Sequence, residues 1–326
     1  MSATTVLVTT RSFSSGTFAA TAALQEAGLE VITGPSDHDL AQLRPLLAEA
    51  VAWIAGTGPV TAEHLDAAPK LRLVARYGVG VEAVDLEAAA QRDVAVTNTP
   101  GANSSAVADH ALALILAALR RITSGDRGVR AGDWRVQRSH ELGNLSVGLV
   151  GLGRIGRGVV QRLSGFGCEV LGHDPGLDED ELRSIGVQSV TLTELAARSD
   201  VVSLHAPGEQ TLIDTDWLAG AKRGLVLVNT ARAQLVDEAA VARALAEERL
   251  SAYATDTLST EPGIGEAEAS PLLAEGLRDL TVFTPHIGAQ TVEAVNEMSR
   301  GAVAAVLALV SGGALPNLVS PESREA

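Results

Sequence analysis

Short apolar runs recur along the first third of the chain, separated by polar stretches that carry glycine or proline. They predict buried strands at Val6–Thr9, Glu30–Thr33, Val51–Ala55, Leu71–Arg76 and Val94–Thr97. The longer segment Ala19–Ala27 is typical of a helix, which Gly28 would end. Strands and helices that alternate at this spacing predict a parallel sheet with helices on both faces.

A second series of the same kind begins at Val147. It predicts strands at Val147–Val150, Glu169–Gly172, Val201–Leu204, Leu225–Asn229, Ala252–Thr255 and Thr281–Thr284. Between the two series, the turn-rich segment Asn98–Asn103 precedes a long predicted helix, Ser104–Ile122, with Arg120 and Arg121 in its last turn. This segment is interpreted as the crossing between two domains.

The order of these elements predicts an α/β chain with two doubly wound parallel-sheet domains. The final predicted helix, Val292–Leu309, is expected to return to the first domain, and the tail after Ser311 is expected to be loose. The first domain then comprises residues 1–101 and 287–326, and residues 102–286 form a second domain inserted into it.

Charge and composition narrow the classes of function. Hydrophobic residues make up 46% of the 326 positions, which is enough for large cores. There are 25 Lys and Arg against 40 Asp and Glu, a net charge of −15. A surface this negative repels nucleic acid and anionic lipid, so neither is expected as a partner. A small anionic substrate is compatible with it if a few arginines line the binding site.

Cysteine content and the N-terminal residues bear on the compartment. The single cysteine, Cys168, permits no intramolecular disulfide and no thiolate metal cluster, so no metal is expected. The first 30 residues lack the basic start and apolar core of a signal peptide. The longest apolar helical run, Ala111–Leu119, is too short to cross a bilayer. A cytoplasmic location is therefore expected.

A glycine-rich segment, Gly151-Leu-Gly-Arg-Ile-Gly156, follows a predicted strand and opens a predicted helix. Gly151 allows a tight turn, Gly153 lets the backbone approach a pyrophosphate, and Gly156 lets helix and strand pack closely. The helix N-terminus offers N–H groups to the phosphates. The next strand ends beside Asp174, where a carboxylate binds the ribose hydroxyls of NAD and repels the extra phosphate of NADP. The sequence therefore predicts an NAD site.

Three chemically active residues follow predicted strands of the second series: Arg232, Glu261 and His286. In a parallel sheet such positions meet at the carboxyl edge, where ligands bind. Arg232 would bind a carboxylate bidentately, and His286 would donate and accept a proton near neutral pH. A carboxylate beside the histidine, such as Glu261, would stabilise its protonated form. The alternatives at the three positions are a surface ion pair, a solvated loop acid and a capping histidine.

Several independent segments agree in order and spacing with one known family. They are Gly151–Gly156, Asn229–Asp237, Thr284–Thr291, Arg76–Gly80, Asn98–Asn103, Ala131–Trp134 and Val201–Pro207. Together they resemble the D-isomer-specific 2-hydroxyacid dehydrogenases. The resemblance implies a Rossmann NAD-binding domain inserted in a flavodoxin-like substrate-binding domain. It also implies an NAD-dependent oxidoreductase that transfers a hydride between the nicotinamide and C2 of a small D-2-hydroxy or 2-keto acid.

The resemblance implies roles for individual residues. Arg232, Glu261 and His286 would form the catalytic triad, and backbone N–H groups at Gly78 and Val79 would bind the substrate carboxylate. The residues assigned to cofactor binding are Gly151, Gly153, Arg154, Ile155, Gly156, Asp174, His205, Ala231 and Asp256, the last on the nicotinamide carboxamide. Members of the family typically form homodimers, here through the region 104–145.

The substrate is narrowed by similarity to the 3-phosphoglycerate dehydrogenases within the family. The segments most similar to them are Thr9–Phe13, Ala75–Gly80 and Gly132–Trp134. This implies a phosphorylated or otherwise doubly charged acid, while the residues themselves do not select phosphoglycerate over a phosphonate, a malate-like acid or a simple aliphatic hydroxy acid. Arg11 and Arg76 are the candidates to bind its second charge, with Arg135 and Arg138 as further candidates. The alternative is that these arginines lie on the surface and support solubility or the dimer.

Two other functions would use the same residues. An NAD-sensing protein, similar to the transcriptional corepressors of this family, would keep all three triad positions and bind peptides without catalysis. A formate- or phosphite-type dehydrogenase would use the same arginine and histidine on a smaller donor. Oxidation of NADH by a panel of keto acids separates the enzyme from the sensor, and adding formate and phosphite tests the third function.

Overall fold

The apolar runs form two parallel sheets, one in each of two structural units. The computed structural model describes residues 4–208, 210–261 and 269–321. Within this range, residues 4–103 and 289–321 make up the first unit, and the described residues from 104 to 288 make up the second.

The bounds of the helices and strands follow the chain in three stretches. Up to residue 103 they are β1 (Thr4–Val8), α1 (Ala20–Glu26), β2 (Leu29–Thr33), α2 (Leu40–Leu47), β3 (Ala50–Ala55), α3 (Ala62–Asp66), β4 (Leu73–Arg76), α4 (Leu86–Ala90) and β5 (Ala95–Thr97). From 104 to 288 they are α5 (Ser104–Leu119), α6 (Ile122–Arg130), β6 (Ser146–Val150), α7 (Arg154–Leu163), β7 (Glu169–His173), α8 (Glu179–Ser184), β8 (Gln188–Ser189), α9 (Leu192–Arg198), β9 (Val201–Leu204), α10 (Thr215–Gly220), β10 (Leu225–Asn229), α11 (Glu238–Ala246), β11 (Leu250–Thr255) and β12 (Thr281–Phe283). The last two are α12 (Val292–Ser311) and β13 (Leu318–Val319).

The sheet of the first unit has the strand order β13-β5-β4-β3-β1-β2. Strands β1 to β5 are parallel, in the order 2-1-3-4-5 that is typical of flavodoxin-like domains. The expectation of a loose tail after Ser311 is wrong for the described residues up to 321, because Leu318 pairs with Thr97 and Val319 pairs with Val96 in an antiparallel edge strand. This segment is short and has polar neighbours in the chain, so its own sequence does not predict a strand. Pairing with β5 orders it.

The sheet of the second unit has the order β12-β11-β10-β9-β6-β7-β8, and its neighbouring strands pair in parallel. Counted from β6, this is the Rossmann order 3-2-1-4-5-6 with β12 added at the edge. The order reverses between β6 and β9, and sheets of this kind bind ligands beyond the carboxyl ends of the strands at that place. The predicted fold class, two doubly wound parallel-sheet α/β domains, is confirmed.

Both sheets are covered by packed apolar side chains. In the first unit Trp53 is fully buried in the main cluster. In the second unit, Leu225 and Leu227 of β10 belong to one cluster, whereas Val226 and Val228 belong to another. Because alternate residues of a strand point to opposite faces, the two clusters lie on the two faces of the sheet. The loops at its carboxyl edge therefore start from strands that are held on both sides.

The predicted helix Ser104–Ile122 is interrupted. α5 ends at Leu119, Arg121 has a left-handed backbone with φ of 52°, and α6 begins at Ile122. Arg120 and Arg121 are therefore not the last turn of one long helix, and the prediction is wrong at this point. The buried side chains of α5 end at Leu119, so burial no longer favours a continuous helix beyond it.

α12 is 20 residues long and apolar, so its length and composition alone would suffice to cross a membrane. It is longer than Ala111–Leu119, which the sequence analysis takes as the longest apolar helical run. Half of its apolar window is buried inside the protein, and Val295, Met298 and Val306 are among the buried residues. This burial is typical of a helix in a protein core.

Candidate active site

The segment Gly151–Gly156 connects β6 to α7. Gly151 has a φ of 88°, and a Cβ there would lie 2.7 Å from the backbone nitrogen of Ala206, so only glycine fits. A Cβ at Gly156 would overlap the carbonyl oxygen of Gly151, and its absence lets α7 begin close against the strand. A Cβ at Gly153 would instead meet open space. The loop therefore combines tight backbone packing with room for a ligand over Gly153.

The N-terminus of α7 lies at the same loop. Gly153 is the residue before the helix and makes no side-chain cap, and Arg154 and Ile155 form the first turn. The first N–H groups of a helix lack partners within the helix, and they bind phosphate groups readily. Arg154 is exposed, which leaves its guanidinium accessible to an anion.

Asp174 follows β7, the strand next to β6. Its carboxylate accepts a hydrogen bond from the N–H of Leu152 at 2.6 Å and another from the N–H of Gly176 at 2.9 Å. These two bonds fix the carboxylate beside the glycine loop. This is the place where a dinucleotide fold binds the ribose hydroxyls, so the geometry suits the role assigned to Asp174.

His205 follows β9, on the other side of the point where the strand order reverses. Its backbone lies against Gly151. Both ring nitrogens are buried and have no hydrogen-bond partner among the residues that the structure describes. Burial lowers the pKa of His205 to about 4, so the ring is neutral. A buried neutral ring beside the glycine loop is compatible with a wall of the cofactor site.

These features fit the dinucleotide NAD. There is open space over Gly153, an oriented carboxylate on Asp174 and an unpartnered ring at His205. Ala231, also assigned to the cofactor, is buried after β10, and its N–H donates to the side chain of Asn229 at 3.0 Å. The assignment of individual residues to the cofactor remains a prediction.

Glu261 and His286 form a hydrogen-bonded pair at the carboxyl edge of the second sheet. Glu261 follows β11 and His286 follows β12, and the two strands are parallel neighbours. Nδ1 of the histidine lies 2.7 and 2.9 Å from the two carboxylate oxygens. Because a carboxylate only accepts hydrogen bonds, Nδ1 carries the proton and donates it. Nε2 is then the nitrogen that can exchange a proton with a ligand.

The backbone of His286 is unusual. It has a φ of 52°, in the left-handed region, and its N–H donates to the carbonyl oxygens of Asp256 at 3.1 Å and Thr284 at 3.0 Å. A residue with a side chain reaches this region at a cost in free energy, so the surrounding contacts must hold it there.

Asp256 supplies much of that support. It is 3% exposed, and its carboxylate accepts hydrogen bonds from the Thr284 hydroxyl at 2.5 Å, the Ile287 N–H at 2.9 Å and the Gly288 N–H at 2.7 Å. Burial alone would raise the pKa of Asp256, but hydrogen bonds from His110, Thr284 and the two backbone N–H groups outweigh it and lower this pKa. Asp256 is therefore ionised and holds the turn after β12. Its assigned contact with the nicotinamide remains a prediction.

Arg232 follows β10, which pairs with β11. It is partly buried, its Nη1 donates to the carbonyl oxygen of Ala231 at 2.8 Å, and its side chain packs against Gly208. The three predicted catalytic residues therefore follow three neighbouring strands, β10, β11 and β12. The structure joins two of them directly, as the Glu261–His286 pair.

The arginines assigned to the substrate lie in the first unit and differ in exposure. Arg11 is exposed, and its Nε donates to the Ser36 hydroxyl at 3.0 Å. Arg76 is 8% exposed, and its Nη1 donates to the carbonyl oxygen of Tyr77 at 2.6 Å. Arg11 is thus the more accessible of the two to an anionic ligand.

Gly78 and Val79 form a loop after β4. Gly78 has a φ of 138°, and a Cβ there would lie 3.3 Å from Nη1 of Arg76. The carbonyl oxygen of Val79 accepts a hydrogen bond from the side chain of Asn98 at 2.8 Å. Arg76 and Asn98 thus support the loop from inside the unit. The predicted contact of this loop with a substrate carboxylate remains a prediction.

The sequence analysis did not single out two polar residues that brace the loops of the pair. His110 of α5 lies 2.9 Å from the hydroxyl of Thr284, through Nε2. Glu238, at the start of α11, accepts hydrogen bonds from the hydroxyls of Ser259 at 2.7 Å and Ser270 at 2.5 Å, on the two sides of Glu261 in the chain. Both are polar residues at buried or nearly buried positions of helices, which is the signal that could have found them.

The first similarity to known proteins concerns the second unit. Residues 112–288 match the family model for the D-isomer specific 2-hydroxyacid dehydrogenase, NAD binding domain. The D-3-phosphoglycerate dehydrogenase of Mycobacterium bovis is 40% identical over 268 residues, which are 80% of this chain and 49% of that protein. The chain thus spans about half the length of the D-3-phosphoglycerate dehydrogenases of this kind.

Two further proteins match over most of their own length. The glyoxylate reductase of Korarchaeum cryptofilum is 38% identical over 275 residues, covering 82% of this chain and 81% of that protein. The crystal structure of a protein from Thermus thermophilus superposes with a TM-score of 0.85 and 36% identity, covering 97% of this chain and 99% of that one. The second unit is an NAD-binding domain, and the chain belongs to the D-isomer specific 2-hydroxyacid dehydrogenase family.

Proposed function

We propose that the protein is an NAD-dependent dehydrogenase that interconverts a small D-2-hydroxy acid and its 2-keto acid. The observation that carries the proposal is the Glu261–His286 pair, in which Nδ1 is fixed on the carboxylate and Nε2 is left for the ligand. The pair lies at the carboxyl edge of the NAD-binding sheet, and Arg232 follows the adjacent strand.

His286, Glu261 and Arg232 have separate roles in the proposed reaction. In the direction of oxidation, Nε2 of His286 accepts the proton of the substrate hydroxyl, and Glu261 stabilises the positive charge that then forms on the ring. Arg232 binds the substrate carboxylate. When bound, NAD supplies the acceptor for the C2 hydrogen, which leaves with its bonding electron pair. In the direction of reduction, Nε2 returns the proton to the carbonyl oxygen while Arg232 polarises that carbonyl.

We propose a doubly charged acid, such as 3-phosphoglycerate, as the substrate. The similarity to the D-3-phosphoglycerate dehydrogenase of M. bovis supports this choice. So does Arg11, an exposed cation in a chain with a net charge of −15. The similarity to a glyoxylate reductase that matches over most of its length favours a small singly charged acid instead. These two substrates are the alternatives that an assay must separate.

The test is the oxidation of NADH by 3-phosphohydroxypyruvate, hydroxypyruvate, glyoxylate and pyruvate, with formate and phosphite supplied to NAD in the reverse assay. We expect kcat/KM for 3-phosphohydroxypyruvate to exceed that for glyoxylate by about tenfold or more, because a charged hydrogen bond to the phosphate contributes on this scale. A preference for glyoxylate would contradict the substrate. No turnover of any acid would contradict the dehydrogenase and favour an NAD sensor.

A variant of Arg11 distinguishes between the two substrates. Arg11→Ala should lower kcat/KM for 3-phosphohydroxypyruvate by about 10-fold to 100-fold and leave that for glyoxylate unchanged, since only the former has a phosphate. Arg44→Ala, which removes another exposed arginine of the same unit, is the matched control. Equal losses for both acids would mean that Arg11 does not bind the phosphate.

We also propose that the protein forms a homodimer through the region 104–145. Four large apolar side chains are exposed within fifteen positions of sequence there: Ile122, Val129, Trp134 and Val136. Trp134 is 77% exposed, and exposed apolar surface is typical of a protein–protein interface. Trp134→Glu should convert a dimer to a monomer in sedimentation velocity, whereas Phe166→Glu, at another exposed aromatic residue, should not. A monomeric parent protein, or a dimeric Trp134→Glu variant, would contradict the proposal.

A further inference from the structure

One side chain of α5 reaches the loop that carries His286. His110 follows Asp109 in the helix and precedes an apolar run, and its side chain is 16% exposed. Its Nε2 is 2.9 Å from the hydroxyl oxygen of Thr284 and 3.3 Å from Oδ1 of Asp256. These contacts involve other residues than the bond between His286 and Glu261, so the loop is held at two separate places.

The direction of each hydrogen bond can be assigned. Asp256 is ionised and only accepts, and the Thr284 hydroxyl lies 2.5 Å from its Oδ1, so this hydroxyl donates its one proton to the carboxylate. The hydroxyl oxygen can then only accept from His110, which must carry a proton on Nε2. His110 is therefore held as a donor toward Thr284 and Asp256 together.

Asp256 connects His110 and Thr284 to the turn that contains His286. Its two oxygens accept the N–H groups of Ile287 and Gly288, and its own backbone carbonyl accepts the N–H of His286. His286 sits in this turn with a φ of 52°, a conformation that persists only where neighbouring contacts fix it. A shift of the Asp256 carboxylate would therefore move the imidazole relative to Glu261.

We infer that His110 is a positioning residue for His286. Through Thr284 and Asp256 it fixes the turn that places Nδ1 of His286 on Glu261 and aims Nε2 at the ligand. The effect of His110 on turnover rests on the proposed acid–base role of His286. Its effect on the geometry of the pair does not rest on that role.

The experiment uses the full chain with His110→Leu, Thr284→Val and the double variant. We expect each single variant to lower kcat by about 10-fold to 100-fold, because a displacement of about 1 Å of a reacting group costs on this order. The double variant should lose little more than either single variant, because both remove the same chain of hydrogen bonds. His110→Gln, whose amide N–H can replace the Nε2–H, should recover most of the activity.

A spectroscopic readout separates positioning from catalysis. The Nδ1–H proton of His286, in its short bond to Glu261, should give a far-downfield proton NMR signal, which is assigned by its loss in Glu261→Gln. We expect the signal to disappear or broaden in His110→Leu and Thr284→Val and to return in His110→Gln. Asp109→Asn is the matched control, because Asp109 is the neighbouring residue of α5 and pairs with Arg162 on the surface.

The outcomes are distinct. An unchanged NMR signal in His110→Leu, or additive losses of kcat in the double variant, would overturn the inference. If His110→Leu does not fold, Thr284→Val and His110→Gln decide it by the same two readouts. If His286→Ala keeps full turnover, the proposed acid–base role fails, while the NMR signal still shows whether His110 positions the ring.

Discussion

At the residue scale, the Glu261–His286 pair explains how one imidazole ring can serve two partners. Nδ1 carries a proton because both atoms it contacts, at 2.7 and 2.9 Å, belong to a carboxylate. The lone pair of the neutral ring is then on Nε2, and the charge that a second proton brings lies beside Glu261. The unfavourable φ of 52° at His286 indicates that the fold holds this residue against its own backbone preference.

The choice between NAD and NADP is a prediction at the same scale. Asp174→Ser should lower kcat/KM with NAD by about tenfold or more and raise it with NADP, because the carboxylate that binds the ribose hydroxyls also repels the extra phosphate. Steady-state rates with both cofactors give the ratio. Asp180→Ser, at an exposed acid of α8, is the control and should leave the ratio unchanged. An unchanged ratio in Asp174→Ser would contradict its assignment.

Residues at strand ends are predictable from sequence, whereas their supports are not. Arg232, Glu261 and His286 can be proposed because apolar runs mark the strands that precede them. His110 contacts Thr284 across 174 positions of sequence, and this contact exists only because α5 packs near β12. The periodicity of one helix shows which face is buried, but not which loop that face meets.

At the element scale, two glycines at the start of α7 should respond differently to the same substitution. Gly153→Ala should leave the free energy of unfolding unchanged within about 0.5 kcal/mol, because its Cβ would meet open space. The same substitution should weaken NADH binding, because the added methyl group would occupy the space that the phosphates approach. Gly156→Ala should destabilise the protein by about 1–3 kcal/mol, because its Cβ would overlap the Gly151 carbonyl.

Urea unfolding and NADH fluorescence measure the two effects, and each variant is the control of the other. A destabilised Gly153→Ala variant, or a Gly153→Ala variant with normal NADH affinity, would contradict the proposal that the space over this residue receives the cofactor.

Elements differ in how far their sequence determines them. The predicted bounds of β9 and β10 agree with the structure, because each is a fully buried apolar run. Surface helices such as α8, with acidic and basic residues at most of its six positions, were not predicted, since few apolar residues mark their faces. β13 was also missed, because its strand conformation depends on the edge of β5, more than two hundred positions earlier.

At the scale of the whole molecule, each unit has a neutral histidine whose ring is removed from solvent: His38 is buried in the first unit, and both ring nitrogens of His205 are buried in the second. Nε2 of His38 lies 2.7 Å from the Thr9 hydroxyl and Nδ1 lies 3.0 Å from the carbonyl oxygen of Pro59. Burial is the main cause that lowers the pKa of each histidine to about 4. Protonation of either ring therefore opposes folding of its unit.

The sign of the resulting pH dependence is fixed. The unfolded chain binds a proton at each histidine near pH 6.5, whereas the folded chain binds it only near pH 4. The stability that the neutral rings contribute is therefore fully present above pH 6.5 and is lost as the pH falls toward 4. The loss is at most about 1.4 kcal/mol per pH unit for each histidine.

His38→Asn should reduce the slope of this loss, because asparagine tolerates the left-handed φ of 61° and does not titrate. Urea midpoints between pH 7 and 5, followed by Trp53 fluorescence in a chain with Trp134→Phe and Trp217→Phe, measure it. Equal slopes with and without His38 would show that its protonation is not coupled to folding.

The most direct test of the acid–base assignment is the turnover of His286→Ala measured together with its affinity for NADH. We predict that kcat for the best acid of the panel falls by about 10²-fold to 10⁴-fold, the usual contribution of a positioned acid–base group, while the Kd for NADH stays within about threefold. His140→Ala, at an exposed histidine of the same unit, should keep full turnover. Turnover of His286→Ala within about tenfold of the parent, with normal NADH affinity, would contradict the account.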